Sequence, residues 1–294
     1  MRDNIFTILK KNTNFKGDVY RIHRLMTEES IIIDNGHYAM TLENFVNKYC
    51  FCTWLGRGHC VDLEDFKQTL NFDDLLITLE NFDEDNSEFI NCFVNYLEYG
   101  LNLLFLADRY CCKQKYRFKR LDTFNQLAKL LFDCIELINL KYIEDEENGI
   151  VYLIENKPEV TAVAEIEEDK DLSWDILRYN HHLLKGNIDE KRKILNSMGK
   201  SIEQQRRQLE QISEYTKQLS STIFGVLNNF NVRHDNCTPG TSDYHANVES
   251  MSKDELENCY DELYQLILLA KLELNNVERV QKVKELIKSV SYNK

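Results

Sequence analysis

The stretch LEQISEYTKQLSSTIFGVLNNF, residues 209–230, decides the fold class of this 294-residue chain. It carries a mostly apolar seam whose members are separated by alternating steps of three and four residues: Leu209, Ile212, Thr216, Leu219, Ile223, Val226 and Phe230. That spacing keeps one side chain per turn on the same face of a helix, and it is typical of helices that pack at shallow angles in a bundle. The stretch therefore predicts one long helix that begins near Ser201 and continues through residue 230.

A second long helix repeats the seam farther along the chain. Its members are again separated by steps of four and three residues: Leu256, Tyr260, Leu263, Ile267, Ala270, Leu274 and Val277. Ser252 and Glu255 have the spacing of a capping box, so this helix is predicted to begin there. Residues 266–269 (LILL) make it apolar on more than one face, which implies a further partner, either another helix or another subunit.

Shorter elements are predicted upstream of these helices. Apolar residues at three- and four-residue steps predict a helix from residue 121 to about residue 140. Asn148-Gly149 lies between two β-prone arms and predicts a small hairpin over residues 142–154, because Asn-Gly supplies the positive φ angles of a tight turn. The first 80 residues predict several short helices. An acidic run at residues 165–171 marks a joint between two domains.

The predicted fold class is therefore mainly α, with a helical N-terminal domain over residues 1–166 and a helical bundle over 167–294. The composition agrees, since 2 prolines and 10 glycines are too few for the many tight turns of a β-sandwich or barrel. A hydrophobic share of 43% supports a packed core and excludes global disorder. The net charge of −13 argues against a general nucleic-acid binder, so any RNA contact must be a local patch.

The sequence predicts a cytoplasmic protein that makes no membrane contact. Its start, MRDNIFTILKKNTNF, lacks the apolar core and cleavage site of a secretory signal. Nine cysteines without an export signal indicate reduced thiols in a cytosol. The most apolar stretch, residues 89–107, is interrupted by three asparagines and Glu98, so we expect a buried helix there and not a membrane span.

The loop between the two seamed helices concentrates polar chemistry. Its candidate catalytic residues are Arg233, His234, Asp235, Asn236 and His245. Arginine offers a planar fork of donors to a phosphate, histidine exchanges a proton near neutral pH, and asparagine orients both. The alternative is a polar helix end, because Arg and His suit the negative C-terminal pole of a helix and Asn tolerates the left-handed conformation.

Two long amphipathic helices joined by a loop with an Arg, an adjacent polar residue and a later His resemble the HEPN superfamily. The resemblance covers roughly residues 170–290. Arg233-His234 matches the first two positions of the family motif, but the next histidine, His245, comes twelve residues after Arg233, farther than the motif places it. Either the loop is longer here and His245 serves, or His234 serves, or the site is inactive.

The resemblance implies a helical bundle with metal-independent endoribonuclease activity in phage defence of the abortive-infection or toxin type. In that chemistry a base takes the proton of a ribose 2′-hydroxyl, and the guanidinium stabilises the charge that develops on the phosphate. The resemblance further implies a homodimer or higher homo-oligomer, an RNA substrate, an antitoxin or phage-derived trigger, and no cofactor. The alternative function is a non-catalytic HEPN-like helical scaffold or regulatory protein-interaction module.

Two weaker patterns accompany the loop. Thiols and an imidazole that could bind zinc occur close together: Cys50, Cys52, His59 and Cys60. We expect these cysteines to pack as small apolar residues, and we predict no metal. Basic residues interleaved with aromatic ones form a candidate RNA-binding cluster: Lys113, Lys115, Arg117, Lys119 and Arg120. A solvated helix face is the alternative for this cluster, as it is for the Lys191-Arg192-Lys193 run.

Overall fold

The computed structural model describes residues 15–33, 38–70, 87–117 and 123–291. Contacts divide the chain into two compact units on either side of the bond between Asn156 and Lys157. Helices dominate both units, and the described strands form two small antiparallel sheets of two strands each. The predicted mainly α class is confirmed.

The first unit is built around one long helix. In chain order its elements are α1 (Phe15–Thr27), β1 (Ser30–Ile33), β2 (Tyr38–Thr41), α2 (Leu42–Tyr49), α3 (Leu63–Thr69), α4 (Ser87–Gln114), α5 (Thr123–Leu137), β3 (Leu140–Asp145) and β4 (Ile150–Glu155). Helix α4 buries Leu97, Leu101 and Leu104, one turn apart, in a core that α1, α2 and α5 complete. Residues 89–107 lie within α4, and no helix in the described part of the chain is long and apolar enough to cross a membrane.

The hairpin predicted at residues 142–154 is present as β3 and β4. The two strands pair in antiparallel register from Leu140↔Glu155 to Asp145↔Ile150. Gly149 has a φ of +65° and donates its N–H to the Asp145 carbonyl at 2.7 Å, which closes a four-residue loop. The Asn-Gly signal therefore predicted the hairpin, but only Gly149 has a positive φ, so the connection is a four-residue loop and not a tight turn in which both residues adopt that conformation.

One edge of strand β4 is not paired with β3. Side chains of α4 hydrogen-bond to the backbone groups along that edge. The Asn102 side chain accepts from the Val151 N–H and donates to the Val151 carbonyl, each at 2.8 Å. One turn earlier on α4, the Glu98 carboxylate accepts from the Leu153 N–H at 2.7 Å. Four helical residues rise about 6 Å and two strand residues advance about 6.6 Å, so the two spacings match.

A second hairpin, β1 and β2, lies in the region where the sequence predicted only short helices. The strands pair in antiparallel register from Ser30↔Thr41 to Ile33↔Tyr38. The run Ile31-Ile32-Ile33 is β-branched throughout, and such residues favour a strand over a helix. The prediction of short helices alone was wrong here, although α1, α2 and α3 are present.

The second unit is a bundle of helices. In chain order its elements are α6 (Pro158–Ile166), α7 (Lys170–Arg178), α8 (Ile188–Ile212), α9 (Glu214–Asn229), α10 (Ala246–Glu249) and α11 (Lys253–Ser291). Helix α6 buries Val160 and Val163 in this bundle, where it packs on α7 and α11. The division between the units therefore lies ten residues before the predicted boundary of 166 and 167.

The single long helix predicted through residues 209–230 is in fact two helices. Helix α8 ends at Ile212, Ser213 is fully extended, and α9 begins at Glu214. A reciprocal capping box makes the break: the Thr216 N–H donates to the Ser213 hydroxyl at 3.1 Å, and the Ser213 N–H donates to the Thr216 hydroxyl at 3.0 Å. The prediction was wrong because the seam spacing continues across a helix start.

Helix α11 begins where the sequence predicts. The Ser252 N–H donates to the Glu255 carboxylate at 2.8 Å, and the Glu255 N–H donates to the Ser252 hydroxyl at 3.2 Å. The middle of its seam is buried against α8 and α9, as at Tyr260, Leu263 and Ile267. From residue 276 to residue 290 every side chain is exposed.

Candidate functional site

The candidate site is the loop of residues 230–245, which connects α9 to α10. The loop begins as a helix end: Asn231 has a left-handed φ of +56°, and the Arg233 N–H reaches back to the Leu227 carbonyl at 3.0 Å. It rests on α8, where the Arg192 Nε donates to the Val232 carbonyl at 3.3 Å. All five candidate catalytic residues therefore lie in one loop against one helix.

Arg233 is turned toward α8 and is largely buried. Its Nη2 donates to the Gly199 carbonyl at 3.0 Å and lies 3.0 Å from the Glu203 carboxylate. Its guanidinium carbon lies 5.2 Å from the centre of the Phe224 ring. Only 14% of the side chain is exposed. The guanidinium therefore holds the loop, α8 and α9 together.

Gly199 makes this contact possible. A Cβ atom at this position would lie 2.8 Å from a methyl group of Leu227, closer than such atoms approach. Without one, α9 packs closely on α8, and the Gly199 carbonyl stays within reach of the loop.

Asn236 and Asp235 shape the loop from within. Asn236 is fully buried; it accepts from the Asn231 N–H at 2.7 Å and donates to the Asp243 carbonyl at 2.5 Å. The Asp235 carboxylate accepts from the N–H groups of Cys237 and Thr238, at 3.2 and 3.0 Å. Hydrogen bonds from Thr238 are the main reason that the pKa of Asp235 is lowered. Both side chains act as turn-forming groups here.

The two histidines of the loop are exposed. The His245 Nε2 lies 3.1 Å from the Asn229 side-chain oxygen at the end of α9. The His234 Nδ1 lies 3.9 Å from the Asp243 carboxylate, and about half of each side chain is exposed. In the described part of the chain, no hydrogen bond or ion pair joins Arg233 to either imidazole.

Arg192 contacts the loop, but the sequence did not predict it as a residue of the candidate site. Its charge lowers the pKa of Asp235, and it opposes the effect of burial on the pKa of the Cys237 thiol, which is raised overall. Arg192, Gly199 and Arg206 are spaced seven residues apart, so they share the face of α8 that meets the loop and Phe224. In the sequence, the basic run Lys191-Arg192-Lys193 was the feature that could have indicated this contact with the loop.

A cleft of about 540 Å³ adjoins the loop, between the starts of α8 and α11. Both helix starts are capped by the chain itself: Asn187 accepts from the Glu190 N–H at 3.2 Å, and Ser252 accepts from the Glu255 N–H. Lys185 and Lys253 line the cleft together with two carboxylates, Asp189 and Glu249. The lining therefore has no excess of positive charge for a phosphate.

The weak zinc candidates do not come together. Cys50 and Cys60 are buried, whereas Cys52 and His59 are exposed. Among the described residues, no three of these four ligand atoms lie within 4.8 Å of one another. Burial raises the pKa of the Cys50 thiol to about 12, which opposes the thiolate that zinc binds. The contacts of Phe51 and Trp54 favour simple packing.

Part of the candidate RNA-binding cluster is described, at the end of α4. Lys113, Lys115 and Arg117 are exposed, and Lys115 ends the helix in the left-handed conformation with a φ of +58°. The Tyr116 ring lies 6.5 Å from the Tyr110 ring and packs against the core, which limits its use for base stacking. Lys119 and Arg120 lie outside the described residues. The arrangement fits basic residues that suit the end of a helix.

No protein family, no characterised protein and no solved structure was found to match this chain. The resemblance to the HEPN superfamily therefore stays a prediction that rests on the loop and its two flanking helices.

Proposed function

We propose that this chain is a non-catalytic helical protein-interaction module. The observation that carries the proposal is the position of Arg233. A guanidinium that stabilises a phosphate needs donors that face the substrate. Here the guanidinium donates to the Gly199 carbonyl, pairs with Glu203 and packs on Phe224. These contacts support a structural role for the motif arginine.

Free thiols support a cytoplasmic setting for such a module. None of the nine cysteines forms a disulfide, and Cys52 and Cys112 are exposed. Exposed free thiols are typical of proteins that stay in a reducing compartment. We therefore place the module in the cytoplasm. As an interaction module, it would have other proteins as its partners.

Ribonuclease activity is the second candidate, and the exposed histidines favour it. A general base must be accessible to the proton that it removes, and His245 and His234 both are. Incubation of the full chain with total RNA and a metal chelator separates the two candidates. We expect an RNA profile identical to that of a heat-inactivated sample.

RNA fragments that disappear with His245→Ala, at a cost of about 10²- to 10⁴-fold in rate, would contradict the module proposal. The same result with His234→Ala would assign the base to that residue instead. An Asn247→Ala variant, at an exposed position just after the loop, is the control for unspecific effects of substitution.

Arg233→Ala is expected to lower the free energy of unfolding of the second unit by about 2 kcal/mol. The change removes a hydrogen bond from a charged donor, worth about 1.5–3 kcal/mol, and a cation–π contact worth about 0.5–1 kcal/mol. Urea denaturation measures the loss. Arg207→Ala, at an exposed position on α8, should stay within about 0.5 kcal/mol of the native chain. Equal stabilities for the two variants would contradict the structural role.

A further inference from the structure

The end of α11 exposes an apolar surface that the second core does not use. Residues 276–290 form about 22 Å of helix, and all are exposed. Their large apolar side chains are 49–72% exposed: Val277, Val280, Val283, Leu286, Ile287 and Val290. So large an apolar share on a helical segment whose side chains are all exposed indicates an interaction surface.

Four of these residues have the spacing of a coiled-coil seam. Val280, Val283, Ile287 and Val290 follow one another at steps of three, four and three residues, which are alternating a and d positions. At 100° per residue this seam lies about half a turn away from the buried seam of Tyr260, Leu263 and Ile267. It is therefore a separate surface, and we call it the tail seam.

The composition of the tail seam favours a helix as its partner over a lipid surface. Valine and isoleucine at a and d positions are typical of coiled coils, where they fill holes on the facing helix. Helices that lie in a membrane interface instead present Trp, Phe and Leu. Most helical stability in proteins comes from packing of an apolar face, so a packed partner would stabilise this exposed end of α11.

The charges beside the tail seam set the chemistry of that partner. Arg279 and Lys284 occupy the flanking g and e positions, which face the partner helix. Glu278 and Glu285 occupy the opposite face of the helix, away from the seam. Within residues 276–290 the charged residues that border the seam are therefore all basic.

A second copy of this chain does not fit those charges. In a parallel pair, Arg279 of one copy would lie opposite Lys284 of the other. In an antiparallel pair centred on the seam, the two Lys284 side chains would meet. Like charges at these positions repel, whereas acidic residues on a different helix would attract both.

We infer that the tail seam binds an amphipathic helix of another protein, whose apolar stripe is bordered by Asp or Glu. The inference rests on the proposed interaction function and names the chemistry of the partner. The partner's aliphatic side chains cover the exposed valines, and its carboxylates pair with Arg279 and Lys284.

Two synthetic peptides test the inference against the full chain. Each has about four heptads with Ile at a and Leu at d; one carries Glu at every e and g position, and the other carries Lys. Fluorescence anisotropy should give at least about tenfold tighter binding of the Glu peptide, and the preference should weaken as salt is added. Val283→Asp should abolish binding.

Charge reversal provides the decisive variant. The double substitution Arg279→Glu with Lys284→Glu should reverse the preference toward the Lys peptide. The matched control, Lys282→Glu with Lys288→Glu, changes the net charge equally but lies on the far side of the helix, and it should keep the preference for Glu. Circular dichroism verifies that each variant remains helical.

Three results would overturn the inference: equal binding of both peptides, no binding of either, or a dimer in sedimentation that Val283→Asp dissociates. The last would assign the tail seam to a second copy. Failure here is distinguishable from failure of the proposed function, because the RNA assay depends on His245 and does not involve the tail seam.

Discussion

Replacing Lys191 with methionine is expected to lower the free energy of unfolding of the second unit by about 3 kcal/mol. The Lys191 ammonium is 7% exposed and lies 2.7 Å from both the Glu257 and the Asp261 carboxylates. Removal of the lysine leaves Glu257, itself 13% exposed, as an uncompensated buried charge. Such a loss costs about 3–5 kcal/mol, and we expect the lower end because Asp261 is half exposed.

The same substitution should change the pH dependence of stability. Burial raises the pKa of Glu257, but hydrogen bonds from Lys191 and the Gly186 N–H outweigh it and leave the pKa lowered. A carboxyl with a lowered pKa stabilises the fold above about pH 4.5 and loses that contribution as the pH falls through its folded value. The advantage of the native chain over Lys191→Met should therefore shrink below about pH 4.5.

Urea denaturation at pH 7 and at pH 4 measures both effects. The matched control is Lys193→Met, the same change two residues away, where the side chain is 71% exposed and pairs with Glu190 on the surface. We expect that variant to remain within about 0.5 kcal/mol of the native chain at both pH values. A Lys191→Met variant as stable as the control would refute the role assigned to this ion pair.

Lys191 also illustrates what the sequence could not show. The run Lys191-Arg192-Lys193 suggested one basic surface, but successive residues of a helix point in different directions. Lys191 is buried against α11, Arg192 supports the loop, and Lys193 faces solvent. Which of the three is buried depends on Glu257 and Asp261, some 70 residues away in the chain.

Two helix starts show when a local sequence pattern is enough to predict where a helix begins, and when a second pattern hides it. Ser252 and Glu255 predicted the start of α11 correctly, because a capping box is a local interaction. Ser213 and Thr216 form an equivalent box, but they lie inside an uninterrupted seam, so the break between α8 and α9 was missed. Apolar spacing alone therefore does not prove that a helix is continuous.

The candidate loop was predicted in part. A polar segment between two seamed helices is visible from the sequence, and so is the alternative of a polar helix end. The direction of the Arg233 side chain is not visible from the sequence. It is set by the Gly199 carbonyl and by Phe224, which belong to two other parts of the chain. Long-range packing thus fixes the position of the arginine, which the local sequence pattern leaves open.

Asn102→Leu is expected to lower the free energy of unfolding of the first unit by about 2–3 kcal/mol. Asn102 is buried and bonds both the N–H and the carbonyl of Val151, which is itself fully buried. Leucine has a similar volume but no polar atom, so both groups of Val151 would lose their partner away from water. Each unsatisfied buried group costs about 1–3 kcal/mol, and the apolar gain from leucine offsets part of the sum.

The loss should be concentrated in the β3–β4 hairpin, because Asn102 and Glu98 join its open edge to α4. Hydrogen exchange followed by mass spectrometry should show faster exchange in residues 140–155 and little change in the second unit.

Asn91→Leu is the matched control, since Asn91 is exposed on the same helix and its replacement removes no bond to the hairpin. Asn102→Asp should also destabilise the unit, because aspartate accepts from the Val151 N–H but cannot donate to its carbonyl. Equal exchange in Asn102→Leu and Asn91→Leu would mean that the hairpin is held to α4 by apolar packing and not by this amide.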